Sequence, residues 1–249
     1  MADSSDSNFY DDLAKVEAYL EDRQAGRSRN QLVEEPGFLS LLASVLVQDQ
    51  PCLDLGCGFG HYSLMLAERG GYVTAIDRSA LMIAAAQKHS AHERIHYQQM
   101  AIEDAAFPDA TFGVVISNLA LHYLADLAAM IGKVYRWIRP GGSFVLTVEH
   151  PIFTATRNTP LAIWNDGEAH TEWIITNYFS TGPRQGPFGL HYHHTLQEYV
   201  ATLQAAGFLL QEIVEPQPSA EALRLNPNLA QDLHRPVFIG FRCLKPGQS

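Results

Sequence analysis

The residues best suited to binding a ligand lie between Leu53 and His61, which read Leu-Asp-Leu-Gly-Cys-Gly-Phe-Gly-His. An apolar run precedes the glycines and a helical pattern follows them, so the segment predicts a strand, a tight turn and a helix start. Glycines let a backbone approach a ligand closely, and a helix N-terminus favours a negative group. Asp77 follows Gly58 by 19 residues, at the end of the next predicted strand, where a carboxylate can accept both hydrogen bonds of a ribose diol. The spacing predicts a cofactor that contains a nucleoside.

The same segment argues against a dinucleotide. The dinucleotide fingerprint needs a third glycine where this chain has His61, which disfavours a dehydrogenase. Asp54 instead offers an acceptor for an ammonium group of the cofactor, either directly or through water. A glycine turn alone is also compatible with a purely structural role. The specificity therefore comes from the loop, Asp77 and the strand order together.

Short apolar runs alternate with helical patterns over the first two thirds of the chain, which is typical of βαβ units and a parallel sheet. The predicted strands there are Cys52–Leu55, Tyr72–Ile76, Ile95–Gln98, Phe112–Ser117 and Ser143–Val148. The predicted helices are Asp12–Ala25, Gln31–Val47, His61–Arg69, Ala80–His89 and Leu124–Ile138. Two further strands, Leu209–Val214 and Val237–Leu244, are expected to pair antiparallel, because a Pro/Asn-rich stretch rather than a long helix separates them.

Residues 151–194 interrupt this rhythm with Pro, Gly and Asn, and they include Trp164 and Trp173. A long, weakly regular stretch inside a compact domain usually forms a lid or a binding loop. Its aromatic side chains could line a pocket, or they could only fix the lid to the core. Thr195, followed three residues later by Glu198, predicts a capping box that opens a helix running to Gly207.

Composition disfavours several classes of partner. The net charge is −10 and no Lys/Arg cluster stands out, whereas a nucleic-acid binder normally shows a basic surface. No apolar run approaches the roughly 18 residues of a membrane-spanning helix, and the start of the chain is acidic and polar rather than leader-like. Cys52, Cys57 and Cys243 are too scattered to suggest a metal site or a disulfide framework. We expect a cytoplasmic protein without nucleic-acid, membrane or metal partners.

Four segments resemble successive motifs of class I S-adenosylmethionine-dependent methyltransferases: LDLGCGFGHYS, VTAIDRSALMIAAAQ, IEDAAFPDATFGVVISNLALHYL and IRPGGSFVLTVEHP. The likeness is strong over residues 50–150. The lead-in NQLVEEP and the tail segments HPIFTA, YHHTL and RPVFIGFRCLK are similar to a bacterial small-molecule branch, the methyltransferase type 11-like proteins. The resemblance implies an α/β fold with a Rossmann-like, seven-stranded, mostly parallel sheet. In that fold the last strand is antiparallel, helices cover both faces and a lid is inserted after the fifth strand.

The resemblance also implies a layout for the whole chain as one methyltransferase domain, residues 1–249. Residues 1–50 would form helices that close over the cofactor, and residues 51–150 would form the cofactor-binding core. Residues 151–194 would be the substrate lid. Residues 195–249 would supply the last helix and the two C-terminal strands.

The implied cofactor is S-adenosylmethionine, which leaves as S-adenosylhomocysteine. The implied cofactor-binding residues are Tyr19, Arg23, Asp54, Gly56, Cys57, Gly58, Asp77, Arg78, Met82, Ala101, Ile102, Glu103, Asn118 and Leu119. The loop residues would contact the methionine moiety and Asp77 the ribose. Arg78 and Met82 would flank the adenine, and Ala101, Ile102 and Glu103 would border its edge. Arg23 could pair with the methionine carboxylate, although a solvated position on its helix is about as compatible with the sequence.

Methyl transfer from a sulfonium is an in-line displacement, so alignment of the reactants is the main task of the enzyme. A base is needed only where the acceptor must lose a proton, and a histidine that titrates near neutral pH suits that role. The candidate catalytic residues are His150, His193 and His122. The candidate substrate contacts are Trp164, Trp173, Tyr178, Arg184 and His194. A single histidine is more often structural, but their expected convergence on one rim favours at least one as a base.

The sequence as a whole favours an enzyme that moves a methyl group to oxygen or nitrogen of a small, aromatic or anionic metabolite. Two alternatives remain open. One is a protein that binds S-adenosylmethionine without catalysis, as a sensor or partner subunit. The other, which the acidic charge disfavours, is a methyltransferase that acts on RNA or protein.

Overall fold

The computed structural model describes residues 9–155, 161–165, 168–172, 175–186 and 188–247. The strands are β1 (Pro51–Leu55), β2 (Tyr72–Asp77), β3 (Ile95–Gln99), β4 (Phe112–Asn118), β5 (Ile138–Glu149), β6 (Leu161–Asn165), β7 (Glu168–Glu172), β8 (Gly182–Gly186), β9 (Gly189–His193), β10 (Leu209–Val214) and β11 (Phe238–Leu244). The α-helices are α1 (Leu13–Gln24), α2 (Glu35–Leu42), α3 (His61–Glu68), α4 (Ala80–His89), α5 (Leu127–Trp137), α6 (Pro151–Ala155), α7 (Leu196–Ala205) and α8 (Ala220–Leu225).

Seven strands form the central sheet, in the order β10-β11-β5-β4-β1-β2-β3. The strands β1 to β5 are mutually parallel, and β11 is antiparallel to both of its neighbours, β5 and β10. This confirms the predicted seven-stranded sheet with an antiparallel last strand. The carboxyl ends of the parallel strands meet at one edge, where ligands bind in open α/β sheets.

Side chains alternate across the sheet and fill two separate cores. On one face, residues such as Val115 and Phe144 pack with α5 and α7. On the other face, Val114 and Val145 pack with α2, α3 and α4. Helices therefore cover both faces, as predicted. Among the described residues, no helix is both long and apolar enough to cross a membrane.

The second predicted helix, Gln31–Val47, is shorter and less regular in the structure. It begins as a π-helical turn, Asn30–Glu34, and continues as α2 only to Leu42. A π-helical turn adds one residue to the repeat and so rotates every later side chain around the helix axis. The rotation matters here because it decides which of two consecutive acids, Glu34 or Glu35, enters the core.

The fifth strand begins earlier than predicted. Pro140-Gly141-Gly142 lies inside β5 as an irregularity, because Phe112 pairs with Ile138 whereas Val114 pairs with Ser143. Gly141 has a φ of +80°, which suits a glycine. The preceding helix α5 also starts later than predicted, at Leu127, because the Asp126 side chain caps it through the Ala129 N–H.

The segment after β5 contains two hairpins, β6–β7 and β8–β9. The helix after it begins as predicted, since Thr195 and Glu198 form the reciprocal hydrogen bonds of a capping box at the start of α7. Trp173 lies outside the described residues. Trp164 falls in β6, but its side chain is likewise outside the described part.

Candidate functional site

The glycine loop joins β1 to α3 in a conformation that ordinary residues rarely adopt. Gly56, Gly58 and Gly60 have φ values of +77°, +53° and +84°. The N–H groups of Gly56 and Cys57 both donate to the Ile76 carbonyl, at 2.9 Å. A Cβ on Gly56 would collide with that of Ala120, whereas one on Gly58 would meet no atom within 4 Å. The loop is thus packed on one side and open at Gly58, where a ligand can approach the backbone.

Asp77 ends β2 beside this loop. Its Oδ2 accepts a hydrogen bond from the Gly58 N–H and its Oδ1 accepts one from the Ser79 N–H, each at 2.9 Å. Burial raises the pKa of the carboxyl, while the two backbone N–H groups oppose that shift. Each oxygen keeps lone-pair capacity, because a carboxylate offers about four acceptor positions. Asp77 can therefore hold the loop and accept a diol together.

A cavity of about 550 Å³ opens beside Arg78, the residue that follows Asp77. Its volume lies within the range of small-molecule sites, roughly 300–1,000 Å³. The lining residues are Asp11, Arg78, Ala80, Gln99, Met100, Ala101 and Asp104. Two predicted adenine neighbours, Arg78 and Ala101, therefore line it.

The other predicted adenine neighbours do not line this cavity. Met82 and Ile102 are buried, and Glu103 is exposed on a short helical turn. Lys133 donates a hydrogen bond to the backbone carbonyl of Glu103, at 2.7 Å.

Asp54 lies beneath the loop, with only 1% of its surface exposed. The Ser63 hydroxyl donates to its Oδ2 at 2.6 Å. Burial raises the pKa of Asp54 to about 7, although the Ser63 hydrogen bond acts in the opposite direction. The loop thus rests on a carboxyl group that can exchange a proton near neutral pH.

Glu34 is a site residue that the sequence did not single out. It is fully buried, and its Oε1 accepts hydrogen bonds from Asn118 at 2.5 Å and from Thr147 at 2.7 Å. The Tyr62 hydroxyl donates to Oε2 at 3.1 Å. Burial raises the pKa of Glu34 to about 7 against the effect of these hydrogen bonds. The network ties the N-terminal segment to the ends of β4 and β5.

The end of β4 is strained next to the glycine loop. Asn118 is the last residue of β4, and Leu119 follows with a φ of +49°. Leucine rarely adopts such a backbone, and strain of this kind collects at functional sites. The Leu119 N–H donates to the Thr147 carbonyl at 2.9 Å, which fixes the turn and presses Ala120 against Gly56.

The first helix packs over the loop. Arg23 is buried, its guanidinium lies 5.6 Å from the Phe59 ring centre, and it reaches Glu35 at 3.9 Å. Its Nε is buried and has no hydrogen-bond acceptor among the described residues. Tyr19 contacts the same Phe59 ring edge-on, at 6.2 Å. A buried guanidinium with a spare donor suits a carboxylate of a ligand held on the loop.

The N-terminal segment also meets the hairpin β8–β9. The rings of Phe9 and Phe188 lie 5.0 Å apart, and Tyr10 contacts Tyr123 at 6.4 Å. We call residues 9–34 together with the hairpin β8–β9 the cover. Its two parts touch each other above the carboxyl edge of the sheet.

His150 and His193 have both ring nitrogens engaged within the fold. His150 Nδ1 accepts from the Ile152 N–H at 3.0 Å, and its Nε2 lies 2.7 Å from Glu215. His193 Nδ1 lies 2.6 Å from the Thr154 hydroxyl, and its Nε2 lies 2.8 Å from the Tyr178 carbonyl. The structure therefore holds both rings as buried links between segments, with no free nitrogen for a substrate.

His122 and His194 are less engaged. His122 Nδ1 and His194 Nε2 are buried without a hydrogen-bond partner among the described residues. Burial lowers the pKa of His122 to about 3, so the ring stays neutral at physiological pH. Burial also lowers the pKa of His194, while Glu198 acts against that shift.

The predicted substrate contacts Tyr178 and Arg184 lie in the insertion. The Tyr178 hydroxyl accepts from the Leu196 N–H at 3.1 Å, and Arg184 donates to the Pro183 carbonyl at 3.1 Å. Both side chains thus help to shape the insertion itself.

A second acid lies at the carboxyl edge, at the end of β5. Glu149 Oε2 is buried, accepts no hydrogen bond from the described residues, and lies 3.8 Å from His191 Nε2. Burial raises the pKa of Glu149 to about 7. The sequence contained one signal for this pair, a strand that ends in Glu-His-Pro, but nothing that placed His191 beside it.

Comparison with known proteins agrees with this geometry. The family model for a methyltransferase domain matches residues 53–146. An S-adenosylmethionine-dependent methyltransferase of Mesorhizobium loti superposes with a TM-score of 0.78, at 29% identity over 87% of this chain and 98% of that one. A structure from Listeria monocytogenes, named as the same class, gives a TM-score of 0.76 and 32% identity over 86% of this chain and 97% of that one.

A functionally named relative matches only part of the chain. The malonyl-[acyl-carrier protein] O-methyltransferase of Serratia marcescens is 42% identical over 91 residues, which is 36% of this chain and 34% of that enzyme. The Listeria structure, by contrast, is similar over nearly its whole length and above 30% identity. The chain therefore belongs to the S-adenosylmethionine-dependent methyltransferases, and S-adenosylmethionine is its cofactor.

Proposed function

We propose that this enzyme transfers the methyl group to an oxygen or nitrogen of a small-molecule metabolite. The observation that carries the proposal is the contact of Phe9 with Phe188 above the carboxyl edge of the sheet. An acceptor under that contact must fit beneath the cover, which favours a metabolite over a folded RNA or protein. The net charge of −10 also disfavours a nucleic acid.

The residues present fit S-adenosylmethionine, which supplies an electrophilic methyl group when bound. Asp77 would accept the ribose hydroxyls, and the cavity beside Arg78 and Ala101 would take the adenine. Gly56, Cys57 and Gly58 would present backbone to the methionine moiety, where Gly58 is open. The buried Arg23 would donate a hydrogen bond to the carboxylate of the cofactor, and Asp54 would lie near its ammonium group. The residues around these two groups would be Tyr19, Asn118 and Leu119.

The chain's own task in the reaction is alignment and exclusion of water. Displacement at a methyl group requires the acceptor, the methyl carbon and the sulfur to lie in line, and holding them so can lower the barrier by several kcal/mol. The partial relative from Serratia, an O-methyltransferase by name, is compatible with an oxygen acceptor.

Calorimetry tests the cofactor site. Asp77→Asn should weaken S-adenosylmethionine and S-adenosylhomocysteine equally, by between about tenfold and a hundredfold, because both contain the ribose and a hydrogen bond to a charged group contributes roughly 1.5–3 kcal/mol. Asp109→Asn, an exposed acid that lines a separate pocket with Lys245, is the matched control and should change neither affinity. Equal affinity for the Asp77→Asn variant would contradict the assignment.

Label transfer tests the acceptor class. The protein and methyl-labelled S-adenosylmethionine are incubated in three parallel reactions. One contains an ultrafiltered metabolite extract, one contains total RNA and one contains a protein fraction. We expect label only in the metabolite arm. Label in RNA or protein would overturn the small-molecule proposal. Binding of the cofactor without transfer in any arm would favour a sensor or partner subunit.

A further inference from the structure

We propose that Glu149 accepts the proton that the methyl acceptor loses, with His191 positioned to receive it in turn. The proposal rests on the proposed function, and it names a group at that same site. It requires an acceptor whose oxygen or nitrogen carries a hydrogen.

Glu149 lies at the carboxyl edge of the sheet. Glu149 ends β5 and follows Thr147 by two residues, so both side chains leave the same face of the strand. Thr147 pairs with Asn118 across β4 and β5 and bonds the same Glu34 carboxyl. Glu149 therefore lies one step beyond the strained end of β4, at the edge where the glycine loop opens and under the hairpin that carries His191.

One carboxylate oxygen of Glu149 is buried without a hydrogen-bond partner in the described part of the chain. Buried polar atoms in folded proteins nearly always have a hydrogen-bond partner, and an exception calls for an explanation. Glu149 Oε2 has no such partner among the described residues, and its distance of 3.8 Å to His191 Nε2 is too long for a hydrogen bond. A carboxylate held in this way has an acceptor position available for a substrate O–H or N–H.

Few titratable groups lie near Glu149 in the described structure. The titratable groups coupled to it in the described structure are Tyr123 before α5, Tyr199 on α7 and His191 on β9. No lysine or arginine forms an ion pair with the carboxylate within the described part. Its proton affinity is thus set by burial, which brings the pKa to about 7, near the optimum for a base that works at neutral pH.

His191 is oriented toward Glu149. Burial lowers the pKa of His191, and the nearby charges of Arg184 and His193 act in the same direction, while a hydrogen bond to the Gly189 backbone opposes the shift. Its Nε2 lies 3.8 Å from the carboxylate. The His191 side chain is 12% exposed and that of Glu149 is 16% exposed, so both members of the pair border solvent. His150 and His193, by contrast, have both nitrogens engaged, and His122 is too deeply buried to take a proton at neutral pH.

The step balances as a displacement with proton transfer. A lone pair of the acceptor forms the new bond to the methyl carbon, and the carbon–sulfur bond breaks with its electron pair going to sulfur. The acceptor hydrogen passes to Glu149, which changes from a carboxylate to a carboxylic acid. The positive charge of the sulfonium and the negative charge of the carboxylate disappear together. The proton then leaves through His191.

The test compares two acids, each beside a histidine at the same edge. The acceptor for this test is the metabolite of the extract that becomes labelled by the parent protein. For Glu149→Gln we expect kcat with this acceptor to fall between about a hundredfold and ten-thousandfold. S-adenosylmethionine affinity and the melting temperature should remain close to those of the parent. Glu215→Gln removes the partner of His150 and should leave kcat within about threefold. The opposite pattern would overturn the proposal and favour His150.

Two further readouts separate a proton acceptor from a structural role. The parent kcat/KM should fall below pH 7, Glu149→Asp should keep that acidic limb, and Glu149→Gln should lose it. In the protein without cofactor, carbon-13 NMR of labelled glutamate should show two carboxyls titrating near pH 7, those of Glu34 and Glu149, and Glu149→Gln should remove one of them. Loss of kcat with an unchanged acidic limb, or no carboxyl signal that Glu149→Gln removes, would contradict the assignment.

The role of His191 has its own check. His191→Ala should lower kcat about tenfold, and added imidazole should restore part of it by receiving the proton in place of the ring. Full activity of this variant, or no rescue, would remove His191 from the mechanism. If cofactor binds but no acceptor is methylated by the parent, the proposed function fails. If methylation proceeds and Glu149→Gln keeps its kcat, only the present inference fails.

Discussion

The glycine loop and the cover differ in how their residues come to lie at the site. The loop places Gly56, Gly58 and Asp77 through contacts between neighbouring strands and the turn that joins them. The cover places Phe9, Phe188 and Glu34 through contacts between segments far apart in the chain. The loop is packed against the next strand and Ala120, whereas the two halves of the cover contact each other through the Phe9 and Phe188 rings. Substitutions in the two regions should therefore have different signatures.

The largest effect is expected from a methyl group added to the loop. Gly56→Ala should lower the free energy of unfolding by about 2–4 kcal/mol, since the new Cβ both strains a positive φ and collides with Ala120. Gly58→Ala has open space and should cost only about 1 kcal/mol. Urea denaturation measures both values.

A double variant sharpens this test. In Gly56→Ala with Ala120→Gly the collision is relieved, so the part of the loss above backbone strain should return. An equal cost for Gly56→Ala and Gly58→Ala would show that the loop is less rigidly packed than this structure has it.

The same contrast explains what could be predicted from the sequence. The strand order, the glycine loop and the neighbourhood of Asp77 follow from short-range patterns, because a strand, a turn and a helix start are each encoded locally. Glu34 could not be distinguished from Glu35, since the π-helical turn changes which of the two points inward. A regular helix would have given no reason to prefer either.

The histidines show a second limit of prediction from the sequence. The sequence named His150 and His193, and the structure holds both at the expected rim, but with each ring nitrogen engaged. Whether a ring nitrogen is free depends on partners such as Glu215 and Thr154, which lie 65 and 39 residues away in the chain. Glu149 and His191 meet through the same kind of distant contact, which no local spacing encodes.

An intermediate effect is expected from the acid that joins the cover to the sheet. Burial raises the pKa of Glu34 from 4.5 to about 7, so the folded protein binds a proton there that the unfolded chain has already lost. The stabilising contribution of this group is complete below pH 4.5 and declines as the pH rises toward 7. Glu34→Gln, which stays neutral, should therefore raise stability at pH 8 relative to pH 5 by roughly 1–3 kcal/mol compared with the parent.

Thermal or urea unfolding at the two pH values measures this difference. Glu35→Gln is the matched control, because Glu35 is paired with His61 and its pKa is lowered rather than raised. The contribution of Glu35 is lost only as the pH falls below about 4.5, so Glu35→Gln should leave the difference between pH 5 and pH 8 nearly unchanged. A Glu34→Gln variant with the parent's pH dependence would show that the carboxyl is ionised in the folded protein.

The smallest effect is expected from the contact that closes the cover. An edge-to-face aromatic pair contributes about 0.5–1.5 kcal/mol beyond its buried area, so the coupling between Phe9→Ala and Phe188→Ala in a double-mutant cycle should fall in that range. We expect this coupling to be seen in KM for the acceptor. Loss of the contact should raise that KM between about twofold and tenfold, because an open cover holds a small molecule less well. S-adenosylmethionine affinity should change little, since Asp77 and the loop lie outside the contact. A cycle that shows the full coupling in cofactor affinity and none in acceptor KM would mean that this contact holds Tyr19 and Arg23 over the cofactor and does not retain the acceptor.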